Sequence, residues 1–281
     1  MDGINLVKSC FPQISRACSV ARLRLAVFGH THSWLLTPDT VSTPVTVWRS
    51  LLLIYTAIDV RLRHRSRRSR NFAYVLSDRE VEDGVSSFQR FPALVEELTS
   101  GGARIEYDIK QAQRSLTSLT RVHKNTYWPS PDDTREEIDR FAAPGRFDSI
   151  FVLWPQHSLI DGASVPSDAW GLGMRASSWS NQATYATVTN AESARWQIPV
   201  VGEVWLHEWL HGVCGYFRER GCCMPDGDAD GGARHGYVQS PVSGWTDYYR
   251  DLMSGNVVDE GKATGIPLDA WRYKPERFAS R

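Results

Sequence analysis

Two imidazoles and a carboxylate fall within five residues of one another at His207-Glu208-Trp209-Leu210-His211. On an α-helix, residues i and i+4 lie about one turn apart on the same face, so both rings can reach one ion. Paired imidazoles at this spacing suit zinc. Glu208, next to the first histidine, projects roughly a quarter-turn away. From there it misses the ion yet can reach a water beside it as a general base. The pattern predicts one catalytic Zn2+ held by His207 and His211, with Glu208 handling protons.

The element that must carry these residues is predicted as a helix within Val200–Gly221. Pro199 suits its first turn, Gly221 its C-terminal stop, and Arg218 and Arg220 the negative end of its dipole. Leu206, Leu210, Val213 and Phe217 recur at helical spacing and predict a core stripe. At about 100° per residue both histidines fall beside that stripe and line a cleft. Gly212 and Gly215 lie on the side of Glu208. Two helical glycines cost about 1 kcal/mol each relative to Ala, which predicts that another backbone or a substrate comes close there.

A catalytic zinc keeps three protein ligands and one exchangeable position. The polar stretch Gly221–Tyr237 offers Asp226, Asp228, Asp230 and His235. His235 is the favoured third ligand, being the only downstream histidine, with Asp228 and Asp230 as alternatives. Asp226-Gly-Asp-Ala-Asp-Gly is also similar to a calcium loop, but Tyr237 stands where the bidentate Glu of such loops belongs. Tyr237, Tyr248 and Tyr249 follow closely enough for a phenol to donate to an oxyanion, with Tyr237 and Tyr248 as the candidates. Trp245, Tyr248 and Tyr249 also suit a helix core.

The chain has 281 residues, room for one large domain or two small ones, and its 42% hydrophobic content is that of a soluble globular protein. The net charge of zero hides an asymmetry. Residues 1–70 hold 11 Lys and Arg against 3 Asp and Glu, and the remaining 211 hold 21 against 29. Residues 71–281 therefore carry no nucleic-acid footprint. Residues 1–70 read as a basic, poorly ordered extension or pro-segment, with Arg67-Arg68 as a processing point before secretion. No standard signal peptide is visible. Val45–Val60 is apolar but broken by Arg49 and Asp59, too short for the ~20 residues that cross a bilayer. Among five cysteines, Cys214 could pair with Cys222 or Cys223 in an oxidising compartment. From Asn71 a more regular alternation predicts a strand at Phe72–Leu76, a helix at Phe88–Thr99 and a strand at Ala103–Ile109. A helix capped by Asp132 or Asp133 runs to about Phe141. A central strand follows at Phe147–Trp154, then a loop over Asp161–Ser180. A strand at Gln182–Asn190 comes just before the histidine helix.

This order, βαβ and then an H-E-x-x-H helix, resembles the zincin metallopeptidases. Asp251-Leu252-Met253-Ser254-Gly255 is similar to the Met-turn of the metzincin branch. The resemblance implies an α+β catalytic domain over 71–281. Its parts would be a mixed twisted sheet, an edge strand ahead of the long active-site helix, and an irregular C-terminal subdomain. It implies that the edge strand, Ala183, Thr184, Tyr185, Ala186 and Thr187, pairs with an extended peptide or protein substrate. Met253 would pack beneath the zinc ligands. Cys214 and Phe217 stand where the metzincin run has its Gly and third His, so the third ligand arrives from elsewhere. Two other readings stand beside the peptidase: a zincin-shaped zinc module without turnover, and a zinc hydrolase of a non-peptide amide. Substrate preference, oligomeric state and compartment are not legible in the sequence.

Overall fold

Thr46–Ile54 forms strand β1, which lies inside a five-stranded sheet. The computed structural model describes residues 45–63, 69–123, 126–167, 171–190 and 199–272. Along β1, Trp48, Leu52 and Ile54 enter one core and Leu51 and Leu53 the other. A strand covered on both faces reads as a continuous apolar run, without the alternation of a half-exposed one. Arg49 sits exposed near the start of β1 and does not interrupt it. The domain boundary expected at residue 70 is therefore corrected. The unit holding the described residues begins near Thr43, because its sheet needs β1. Strands β2 (Ala57–Arg63) and β3 (Ser69–Val75) form an antiparallel hairpin over one sheet face, with Asp59 exposed. Arg67-Arg68 lies outside the described residues.

Helix α1 (Asp78–Leu98) begins ten residues before its apolar spacing suggests. Ser77 and Glu80 explain this through a capping box. Ser77 Oγ accepts from the Glu80 amide at 3.3 Å, and the Glu80 carboxylate accepts from the Ser77 amide at 2.8 Å. Then come β4 (Ala103–Gln111), the short pair β5 (Thr120–His123) and β6 (Thr126–Trp128), and helix α2 (Arg135–Phe141). Asp133 does not start α2, which begins after Thr134. It is buried and accepts from the amides of Thr120 and Ser130 at 2.9 and 2.8 Å.

Strands β7 (Ser149–Trp154), β8 (Gly171–Met174) and β9 (Thr184–Thr189) complete the sheet, in the order β4-β1-β7-β9-β8. All run parallel except β8, which is antiparallel to β9. The fold is α+β with a mixed sheet. Helices α1, α3 (Glu203–Arg218) and α4 (Thr246–Ser254) pack on one face around Phe88, Phe91, Phe151, Trp205 and Trp209. The β2–β3 hairpin and α2 cover the other face around Tyr55, Ile58, Ile138 and Tyr185. Strand β9 is fully buried between β7 and β8, so Ala183, Thr184, Tyr185, Ala186 and Thr187 are not the sheet edge. The edge on this side of the sheet is β8, which lies in the stretch expected to be a loop. With Gly-Leu-Gly-Met it has too few apolar side chains to announce itself. After α4 a two-stranded ribbon, Val257–Asp259 with Lys262–Thr264, leads to Trp271, which stacks on Trp209 with centroids 5.9 Å apart. Among the described residues, no helix is long and apolar enough to cross a membrane.

Leu52 is completely buried in β1. Leu52→Ala is expected to lower the free energy of unfolding by about 2–5 kcal/mol, as core truncations of this kind do. Chemical denaturation measures it, and a loss near zero would contradict a central β1.

Candidate metal centre

Helix α3 starts at Glu203 after Gly202, whose φ of 93° suits only glycine, so Pro199 falls ahead of the first turn. Leu206, Leu210, Val213 and Phe217 form the expected stripe, each at most 1% exposed. Trp205 and Trp209 widen it, and their indole nitrogens donate to Ser87 Oγ at 3.2 Å and Ser149 Oγ at 2.9 Å. These bonds fix the helix rotation. The side chains of His207 and His211 are left 26% and 21% exposed at the rim of a cleft.

Strand β8 is the backbone that the helical glycines admit. A Cβ on Gly212 would come within 2.7 Å of the Met174 carbonyl, and one on Gly215 within 3.1 Å of Arg175 Cβ. The contact is reciprocal. A Cβ on Gly171 would meet Glu208 Cγ at 2.5 Å, and one on Gly173 would overlap the Glu208 carbonyl oxygen. Strand and helix thus touch without a side chain of β8 between them, and Glu208 is shut into the seam at 5% exposure.

Each imidazole is held at its Nδ1. His211 Nδ1 lies 2.8 Å from Asp228 Oδ1, and His207 Nδ1 lies 2.8 Å from Tyr249 Oη. A carboxylate only accepts, so the His211 proton sits on Nδ1 and the Nε2 lone pair is free for a metal. His207 takes the same tautomer when its Nδ1–H donates to Tyr249, whose hydroxyl is held protonated by burial and the nearby Glu203, Glu208 and Asp230. The two Nε2 atoms face one further carboxylate. Asp230 Oδ1 is 3.4 Å from His207 Nε2, and Asp230 Oδ2 is 3.8 Å from His211 Nε2. Ligands of a tetrahedral zinc with bonds near 2.05 Å stand about 3.3 Å apart. Two imidazoles and a carboxylate at these separations fit that ion. Glu208 Oε1 is 4.0 Å from His207 Nε2, and His207, Glu208 and His211 offer ligand atoms within 4.8 Å of one another.

The charges follow from the surroundings. Burial raises the Glu208 pKa against the opposing pull of His207 and His211. The Asp230 pKa is lowered by its hydrogen bond to His207 in spite of partial burial. Burial alone would depress His211. The bond to Asp228, with the Glu208 and Asp230 carboxylates, raises it above the ordinary 6.5.

Several expected site residues lie elsewhere. His235 is not a third ligand: its Nε2 bonds the Asp226 carbonyl at 2.9 Å and its Nδ1 is 4.0 Å from Asp259. Asp228 braces His211 from behind at Nδ1. The acidic run does not converge on a calcium ion, since Asp226 pairs with Arg234 at 2.8 Å while Asp228 and Asp230 serve the two histidines. Tyr237 donates to Asp251 Oδ2 at 2.5 Å and Tyr248 to the Asp228 carbonyl, so neither phenol serves as an oxyanion donor. Met253 is a fully buried helical residue of α4 and not part of a turn. Cys214, Cys222 and Cys223 are free. Tyr249, which the sequence marks only as a nearby phenol or a helix-core residue, supports His207 from 42 residues away.

No protein-family model matches the chain, and no curated protein does. Among solved structures, the crystal structure of metalloproteinase-II from Bacteroides fragilis aligns with a TM-score of 0.32 at 11% identity over 61% of this chain. The alignment spans 44% of that protein, less than half its length. At that score the likeness decides nothing about fold or activity.

Asp230→Ala is expected to weaken zinc binding by more than about 100-fold, the upper end for loss of a merely supporting group, and His235→Ala to leave it nearly unchanged. Competition with a chromogenic chelator reads both, and the reverse order would make His235 the ligand. Protons compete with metal at His211, so zinc binding should have an acid limit, with apparent affinity falling as pH drops below the raised pKa of that ring. Asp228→Asn is expected to weaken binding about 10–100-fold at neutral pH and move that acid limit downward. A pH series of zinc titrations measures both effects.

Proposed function

We propose that the chain is a zinc-dependent peptidase. The observation that carries this reading is the convergence of the two Nε2 atoms on Asp230, each ring held from behind, with Glu208 buried alongside. His207, His211 and Asp230 would hold the ion. Zinc bound there would polarise a scissile carbonyl and acidify a water. Glu208 then takes the proton of the attacking water and passes it to the leaving amine. Burial raises its pKa, which makes it the stronger acceptor for the proton of the water.

The peptide is held by β8. As the terminal strand, its outward N–H and C=O groups are unmatched within the sheet, and an extended chain can pair with them. Gly171 and Gly173 bring this edge against Glu208, so a paired peptide passes over the catalytic carboxylate. The Asp230 side chain is 69% exposed, which leaves the cleft open to a substrate and favours turnover over a closed structural zinc site.

Glu208→Gln should retain zinc and lose peptide hydrolysis by at least about 100-fold, the low end for removing a general base. His207→Ala should lose the metal itself. Both are checked by metal analysis beside a quenched-fluorescent peptide assay. Full activity in Glu208→Gln would rule out proton transfer through this carboxylate.

A further inference from the structure

Glu203, His207 and His211 follow one another at four-residue spacing along one side of α3. Glu203 lies in the first turn and is 8% exposed. Its Oε1 accepts from the Trp245 amide at 2.7 Å, while its Oε2 is buried without a hydrogen-bond partner among the described residues. The surroundings leave room for this carboxylate and nothing larger. Ser240 and Gly244 exchange backbone hydrogen bonds at 2.9 and 3.0 Å, which closes a tight turn. Gly244 lies against the carboxylate at a φ of 57°, where a Cβ would overlap Glu203 Oε2. A buried acceptor left unmet is unfavourable, so what the arrangement gains is the bond made by the other oxygen.

That bond falls where α4 begins. Trp245 is the residue that opens the helix, and its own side chain makes no cap. In a capping box, a Glu of the same helix reaches back to this amide. Here the carboxylate comes from α3 instead, so the start of one helix is set against the start of the other. The consequence reaches the metal centre through α4. Tyr249, whose amide bonds the Trp245 carbonyl at 3.0 Å, places its Oη 2.8 Å from His207 Nδ1. Its neighbour Tyr248 donates to the carbonyl of Asp228, in the turn that also carries Asp230. A ring on α3 and a carboxylate in the turn are thus braced by adjacent residues of α4, and the origin of α4 is fixed by Glu203.

We propose that Glu203 is a positioning residue of the metal centre. By holding the Trp245 amide it sets Tyr249 behind His207 and Tyr248 behind the Asp228–Asp230 turn. It acts through its hydrogen bond and not through its charge, and it touches neither ion nor substrate. The inference rests on the reading of His207, His211 and Asp230 as zinc ligands.

Two variants of the full chain separate bond from charge. Glu203→Gln keeps an acceptor oxygen at full reach and loses the charge. Glu203→Asp keeps the charge and is one methylene too short for the Trp245 amide. In competition with a chromogenic chelator, Glu203→Gln should bind zinc within about twofold of wild type, and Glu203→Asp roughly tenfold more weakly. Nitrogen-15 NMR of the metal-free chain reads the same bond without zinc, at a pH where the rings are neutral. His207 should carry its proton on Nδ1 in wild type and in Glu203→Gln, and should mix both tautomers in Glu203→Asp. Both readings are taken on folded protein well below its unfolding temperature, so a loss of stability alone would move neither. If Glu203→Asp does not fold, Gly244→Ala, whose Cβ displaces the carboxylate, replaces it with the same expectations. Any other pattern overturns the proposal, whether no effect in either variant, equal loss in both, or loss in Glu203→Gln alone. If wild type takes up no zinc, the metal reading falls, and the His207 tautomers alone decide whether Glu203 positions that ring.

Discussion

Backbone meets backbone where α3 crosses β8, and the rest of the site is built around that seam. Gly171 and Gly173 on the strand and Gly212 on the helix leave no side chain of their own to hold the two apart. On the opposite flank Trp205 and Trp209 anchor the helix in the aromatic core. Clamped on two sides, α3 has one open flank, and that flank carries His207 and His211. The cost of helical glycines is offset by an approach that any larger residue would forbid.

Three carboxylates surround two imidazoles, and burial sorts their roles. Glu208 lies in the seam, where desolvation raises its pKa against the pull of the two histidines. Asp230 stands in solvent beside His207 and stays ionised. Asp228 is half-buried and matched to His211, which holds it ionised as well. One functional group, the carboxylate, would thus serve as proton carrier, ligand and brace in the proposed site. Separation of pKa values by environment is how acid and base duties are divided at neutral pH.

The histidine helix is legible in the sequence because its signal is local: five residues set the ligands and a 3.6-residue period sets the buried stripe. Strands β3, β4, β7 and β9 are legible for the same reason. What the sequence hides is information held by partners distant in the chain. β1 is hidden because burial on both faces removes the alternation that marks a strand, and because a basic run follows it. β8 is hidden because its glycines, read locally, signal a loop, and only the helix lying on them gives those glycines a purpose. Without β8 the sheet edge falls on β9, whose strong strand pattern reflects full burial. The preference for His235 over Asp230 rests on ligand chemistry alone, which says nothing about which side of the loop faces the helix. Met253 and Tyr248 sit in the expected neighbourhood but have core duties.

Asp228 and Asp230 belong to one short turn of 3-10 helix, Asp228–Asp230, flanked by Gly227 at a φ of 86° and by Gly231. That single turn orients one imidazole through Asp228 and sets the Asp230 carboxylate, the proposed third ligand, beside both rings. The two tasks are mechanically inseparable: a shift of the turn by an ångström withdraws ligand and brace together. In the proposed site, affinity for the ion would therefore depend on how firmly residues 227–231 are held, and its position on the helix.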